Sequence, residues 1–208
     1  MATTPQRTGA DNRDTAVRIL DSAERLAQLR GFNGFSYADV AQELGITKAG
    51  LHYHFPGKAE LGLALLERYT ERFTAALIAI DQEIEPPPSK LRAYAGLYAD
   101  ALRGERMCLC GMLAAEYRTL PEPIRRAVVR FFDENERWLA RVLDDGRSRH
   151  TLEFEGSPTD TARMIISSLE GAMLVARPYG DLDRFQSAAS AVLARISRRA
   201  STDCRRRR

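Results

Sequence analysis

Apolar residues recur at three- and four-residue intervals through most of this chain, and the alternation that marks half-buried strands is nearly absent. Ala16, Ile19, Leu20, Ala23, Leu26 and Ala27 predict a first helix that stops at Gly31. Ser36 suits the cap of a short helix through Leu44, with Val40, Ala41 and Leu44 on one face and Gly45 as its stop. Thr47 suits the cap of the next, Lys48 to His54, which ends because Pro56 disfavours helical geometry at Phe55. From Lys58 to near Glu83 the stripe is Leu61, Leu65, Leu66, Tyr69, Phe73, Leu77 and Ile80, broken by Pro86-Pro87-Pro88. Beyond the break, Ser89 is expected to cap a helix to Leu102, and another is expected from Cys108 to Thr119. Pro121-Glu122-Pro123 starts a helix carrying Ile124, Val128, Phe131, Phe132, Trp138, Leu139 and Val142, and Gly146 to Gly156 reads as a polar connection. Ser157-Pro158 pairs a cap with a first-turn proline ahead of Met164, Ile165, Leu169, Ala172, Met173 and Val175. Arg177-Pro178-Tyr179-Gly180 ends that helix. Asp181 caps a last one with Phe185, Ala188, Ala189, Val192 and Ile196 inward. The pattern predicts an all-α protein of about nine helices, without internal repeats. The expected division is residues 1–60 and 61–208.

Composition changes this picture little. With 208 residues, 44% hydrophobic and 28% charged, the chain can bury a sizeable core. No apolar run approaches the ~18 residues of a membrane span, so no membrane partner is expected. The first residues are polar and lack the apolar centre of a signal peptide. Three cysteines, two of them only two positions apart, do not make a disulfide framework. A cytoplasmic location is expected.

The net charge of +3 misleads, because Arg205 to Arg208 alone outweigh it and residues 1–60 carry equal numbers of basic and acidic side chains. The terminal tract reads as a solvated tail. Any case for nucleic acid must therefore rest on local placement. Outside the second short helix the chain has only His150, and neither a phosphate-cradling glycine loop nor a G-x-S-x-G elbow is present. No catalytic residue, cofactor or enzymatic activity is expected.

The densest chemistry lies in "GITKAGLHYHFPGK", residues 45–58. Two short helices joined by Gly45-Ile46 fit a helix-turn-helix, whose second helix enters the major groove with its N-terminal residues on base edges and phosphates. A helix that sits on DNA has no core to span and can be short. Val40, Leu44, Ile46, Leu51 and Phe55 are expected behind it, with Thr47, Lys48, Gly50, His52, Tyr53 and His54 facing out. Ala49 and Gly50 keep its surface low. His52 and His54 stand two positions apart and so point in different directions, with neither cysteine nor carboxylate beside them. No metal site is expected.

The stretch from Gly31 to Leu61, GFNGFSYADVAQELGITKAGLHYHFPGKAEL, resembles the DNA-binding domain of the tetracycline-repressor (TetR) family of bacterial regulators. The resemblance lies in a glycine-led turn, an aliphatic-alanine pair followed by Leu-Gly, and Leu-x-Tyr-His-Phe with a lysine three residues beyond. It implies that Thr47, Lys48, Ala49 and Gly50 form the base-reading end, and that His52, Tyr53 and His54 contact phosphates or bases. It also implies a phosphate contact from Lys58, and that Ser36 and Tyr37 anchor the motif to the DNA backbone. Two positions depart from the family pattern. His52 stands where tyrosine is common, implying a weaker, pH-sensitive contact. Ala38 stands where some members carry a base-reading arginine. The resemblance further implies a sequence-specific regulator, in most cases a repressor, acting on inverted-repeat double-stranded operator DNA and released by a small-molecule effector.

The remainder reads less specifically. Phe73, Tyr94, Tyr98, Met107, Met112 and Trp138 are candidates to line a pocket for an apolar or aromatic ligand, with Glu116 orienting a polar group. Core packing is the competing reading for each. Cys108 and Cys110 are either oxidant- or electrophile-sensing thiols or small buried hydrophobes at a helix start. The last two helices, rich in small residues, are expected to form a homodimer, because one short recognition helix reads too few base pairs. A helical dimer that binds a partner without DNA is the competing class.

Overall fold

The computed structural model describes residues 9–196, with side-chain environments from residue 13 onward. The terminal arginine tract lies outside the described residues. Among those described, nine α-helices and two short 3₁₀ turns account for the regular structure. The helices are α1 (Gly9–Arg30), α2 (Tyr37–Leu44), α3 (Lys48–His54), α4 (Lys58–Glu83), α5 (Pro87–Arg103), α6 (Leu109–Ala115), α7 (Glu122–Ser148), α8 (Pro158–Ala176) and α9 (Leu182–Ala194). The fold is all-α.

The local signals for α2, α3, α8 and α9 act as the sequence suggests. Ser36, Thr47, Ser157 and Asp181 each accept a backbone N–H of the first turn. Gly45 takes the left-handed conformation (φ 66°) that closes α2, and the N–H of Ile46 reaches back to the Ala41 carbonyl at 3.0 Å.

Elsewhere the structure corrects the pattern. Ser89 is not a cap. Helix α5 begins at Pro87, because prolines in a first turn lack only N–H groups that would have no helical partner. The expected helix from Cys108 to Thr119 is shorter. It ends at Ala115, and a 3₁₀ turn over Tyr117–Thr119 follows, with Thr119 bonding back to the Glu116 carbonyl through both its N–H and its hydroxyl. Gly146 does not end α7. A side chain there would meet the Leu152 side chain at 2.3 Å, so this glycine serves close packing. In α9, Ala188, expected inward, is exposed, and on α8 Met164 and Val175 are exposed as well.

The described chain forms two compact units. One comprises residues 9–73 and 106–131; the other, 74–105 and 132–196. In the first, α1 packs on α2 and α6, and α2 on α3. Its core includes Ile19, Leu26, Phe32, Phe35, Val40, Leu51, Leu61 and Leu65. In the second, α8 packs along α9 and both lie on α5, around Tyr94, Leu139, Ile165, Leu169, Met173 and Phe185. Helices α4 and α7 each contribute to both units.

Candidate nucleic-acid interface and effector residues

The start of α2 is fixed by a reciprocal pair. The Asp39 N–H donates to Ser36 Oγ at 3.4 Å, while the Ser36 N–H and hydroxyl donate to the Asp39 carboxylate at 2.7 and 2.6 Å. The Ser36 side chain, then its backbone, hold the Asp39 carboxyl below its ordinary value. At the start of α3, Thr47 Oγ1 accepts the Gly50 N–H at 3.0 Å. A Cβ at residue 50 would stand 3.3 Å from that oxygen, so glycine also keeps the cap open.

Leu51 fastens α3 to the core with no exposed surface. At its far end the Tyr37 hydroxyl donates to the Phe55 carbonyl at 3.0 Å, and His52 Nδ1 lies 3.0 Å from the Pro56 carbonyl. With Nδ1 as donor, neutral His52 keeps Nε2 as an acceptor. The His52 ring tilts against Tyr37 at 4.8 Å. These contacts leave Thr47, Lys48, Ala49, His52 and Tyr53 exposed, with Gly50 and His54 half-buried. Tyr53 is 74% exposed and meets the His54 ring edge-on at 5.3 Å. A groove of about 380 Å³ beside α3 is lined by Phe35, Ser36, Tyr37, Ala38, Lys48, His52 and Lys58.

Two more predicted DNA contacts, Lys58 and Tyr37, are drawn into the protein. Lys58 donates to the Phe35 carbonyl, and its ammonium lies over the Phe32 and Phe35 rings at 4.8 and 4.4 Å. Burial lowers its pKa, against the opposing pull of Glu116 and Asp39. Tyr37, half-buried, has its hydroxyl pushed up to about 12 by burial, with the Glu60 charge adding to it.

The predicted effector residues fall in both units. In the second, Tyr94 donates to Asn135 Oδ1 at 3.0 Å, its hydroxyl lies 3.2 Å from that of Tyr98, and its ring stacks on Trp138 at 5.6 Å. Trp138 donates from Nε1 to Asp81 at 2.9 Å. The sequence reading missed Asn135; the available signal was an amide within the apolar face of α7. In the first unit, Met107, Cys108 and Cys110 are buried and Met112 is half-buried. The Tyr69 hydroxyl donates to Cys108 Sγ at 3.6 Å, and Phe73 meets Phe131 edge-on at 5.1 Å. Glu116 faces the loop before α2, where it accepts the N–H of Asn33 at 3.1 Å. Asn33 was also missed; a polar residue between two buried phenylalanines in a glycine-framed loop was the clue. Among the described residues no group of three His, Cys, Asp or Glu could hold a metal ion.

The family model described as bacterial regulatory proteins of the tetR family matches residues 19–65, and the tetracyclin repressor-like C-terminal domain matches residues 87–192. The chain belongs to the TetR family. TetR-family regulators are DNA-binding transcription factors and not enzymes. This TetR-family chain is 28% identical over 171 residues to the HTH-type transcriptional repressor NemR of Escherichia coli strain K12, spanning 79% of this chain and 84% of that one. A TetR-family regulator from Agrobacterium tumefaciens has a similar solved structure, with a TM-score of 0.87, 33% identity, and coverage of 90% of this chain and 100% of that one. The reduced form of E. coli NemR aligns at a TM-score of 0.79 and 25% identity, covering 90% and 99% of the two chains. The chain is a DNA-binding transcriptional regulator.

Proposed function

We propose that this regulator is a cytoplasmic repressor that reads an inverted-repeat operator as a homodimer and leaves it when a small apolar or aromatic ligand binds. The observation that carries the reading is the exposure of Thr47, Lys48, Ala49, His52 and Tyr53 on a helix held at both ends by caps and hydrogen bonds. Gly50 and His54 complete that face, with Ser36 at the α2 end. Residues 1–60 carry this function; 61–208 carry ligand binding and dimerisation. On α8 the exposed Met164, Leu174 and Val175 lie among Ser167 and Gly171, a surface suited to close packing with a second copy. Two copies place recognition helices on half-sites ~34–36 Å apart. Helix α4 starts at Lys58, beside the recognition helix, and runs into the second unit. A ligand that displaces it changes half-site spacing, and a coupling of about 1–3 kcal/mol releases DNA 5–150-fold. One observation favours a thiol-sensing version. The Tyr69 hydroxyl donates to Cys108 Sγ at 3.6 Å, a polar contact on a buried thiol.

The test is retardation of DNA from upstream of its own gene against a random duplex. Tyr53→Ala should weaken retardation about tenfold. Lys48→Ala should also shallow the salt dependence by roughly one charge, which Lys58→Ala should not, since that ammonium faces the protein. Equal affinity of the wild type for both duplexes overturns the proposal.

A further inference from the structure

Residues 31–36 set where α2 begins, yet the backbone bonds within this loop are few. The Gly31 N–H closes α1 onto the Ala27 carbonyl at 2.9 Å, and Gly34 bonds back to Gly31 at 3.2 Å. Phe32 and Phe35 are buried and meet edge-on at 5.9 Å, which anchors side chains but does not orient the peptide between them.

That peptide is held from outside the helix-turn-helix. Glu116, in the turn after α6, accepts the Asn33 N–H on both carboxylate oxygens, at 3.1 and 3.4 Å. The carboxylate lies hard against the loop, since a Cβ at Gly31 would come within 2.4 Å of its Oε1. Gly31 also has φ 86°, so no larger residue relieves the approach without strain. The Asn33 side-chain amide donates to Thr119 Oγ1 at 2.7 Å, and the Thr119 hydroxyl donates to the Glu116 carbonyl at 2.8 Å. Gln28 ties α1 to the same segment, donating to the Met107 carbonyl at 2.9 Å. Residues 106–131 belong to the same compact unit as residues 9–73.

We infer that Glu116 is a positioning residue for DNA reading: by gripping the Asn33 N–H it fixes the loop that aims α2, and through α2 the recognition helix. The inference rests on the DNA-reading function proposed above. Glu116 touches no reading side chain. A carboxylate repels phosphate, so its electrostatic and geometric effects on DNA binding have opposite signs. Acting only as a charge, its removal tightens binding. Acting on geometry, its removal weakens binding to the right sequence and not to the wrong one.

The experiment uses the full chain, a duplex enriched by the wild-type protein from a randomised pool, and a scrambled duplex of equal length. Glu116→Ala should lower the ratio of specific to nonspecific affinity about tenfold. Glu116→Gln, which keeps one acceptor at the same reach, should restore most of that ratio. The salt slope on the enriched duplex should stay that of the wild type, because no phosphate contact is lost. Loss of folded protein alone lowers both affinities together and leaves their ratio unmoved. Should Glu116→Ala fail to fold, Glu116→Leu, which fills similar space without an acceptor, carries the loss arm, with a reduced ratio and faster exchange of the Asn33 amide expected. A ratio that is unchanged or raised in both variants overturns the inference while leaving DNA reading intact. A wild type that enriches no duplex overturns the DNA-reading proposal and this inference with it.

Discussion

Tyr53 on α3 and Tyr94 on α5 are the same residue on helices of the same protein, with opposite surroundings. Tyr53 is 74% exposed, while Tyr94 has no exposed surface, stacks on Trp138 and shares hydroxyl contacts with Tyr98 and Asn135. Helix α3 presents its aromatic and polar side chains outward on a frame held from behind. Tyr94, Tyr98, Asn135 and Trp138 turn inward and contact one another. A residue serving DNA can be removed without harm to the fold, whereas a residue serving a core cannot.

Truncation sharpens that contrast most. Tyr94→Ala should cost about 3–5 kcal/mol of unfolding free energy by denaturant titration, because it opens a cavity and removes a polar partner. Tyr53→Ala should stay within about 0.5 kcal/mol of wild type while losing DNA affinity. Equal destabilisation by the two would break the comparison. Removing only the hydroxyl gives a smaller effect. Tyr94→Phe should cost about 1 kcal/mol, and Tyr53→Phe should leave the unfolding midpoint unmoved.

The smallest effects belong to the α2 cap. Ser36→Ala should cost about 1 kcal/mol, seen as a lower melting temperature together with weaker operator binding. The pH dependence has a definite sign. Asp39 titrates below its ordinary 3.8 in the folded protein, so its contribution is fully present above that value and is lost as pH falls through the lower, folded one. Acid titration of unfolding should show this loss in the wild type, and a reduced loss in Ser36→Ala, which lacks the hydroxyl partner.

Much of the DNA-reading frame was legible because its signals are local. Ser36, Gly45, Thr47 and Pro56 act within a few residues of themselves, and the motif from Gly31 to Leu61 carries its own family resemblance. The same local logic misled at Ser89, since Pro87 already supplies a first turn, and at Gly146, whose missing side chain makes room for Leu152. The apolar period likewise could not say what Met164 and Val175 face: both are exposed on the side of α8 away from Ile165, Leu169 and Met173.

By itself the sequence determined that the chain is helical, where α2 and α3 start and stop, and which of them resembles a DNA reader, because caps, period and proline act over a turn or two of backbone. Tertiary structure alone decided the rest. It turned Lys58 onto the Phe35 carbonyl, brought Asn135 to Tyr94, and put Glu116 on a loop 83 residues earlier in the chain. Each is a bond between residues distant in sequence, and its energy depends on an approach of a few ångströms that no local pattern encodes.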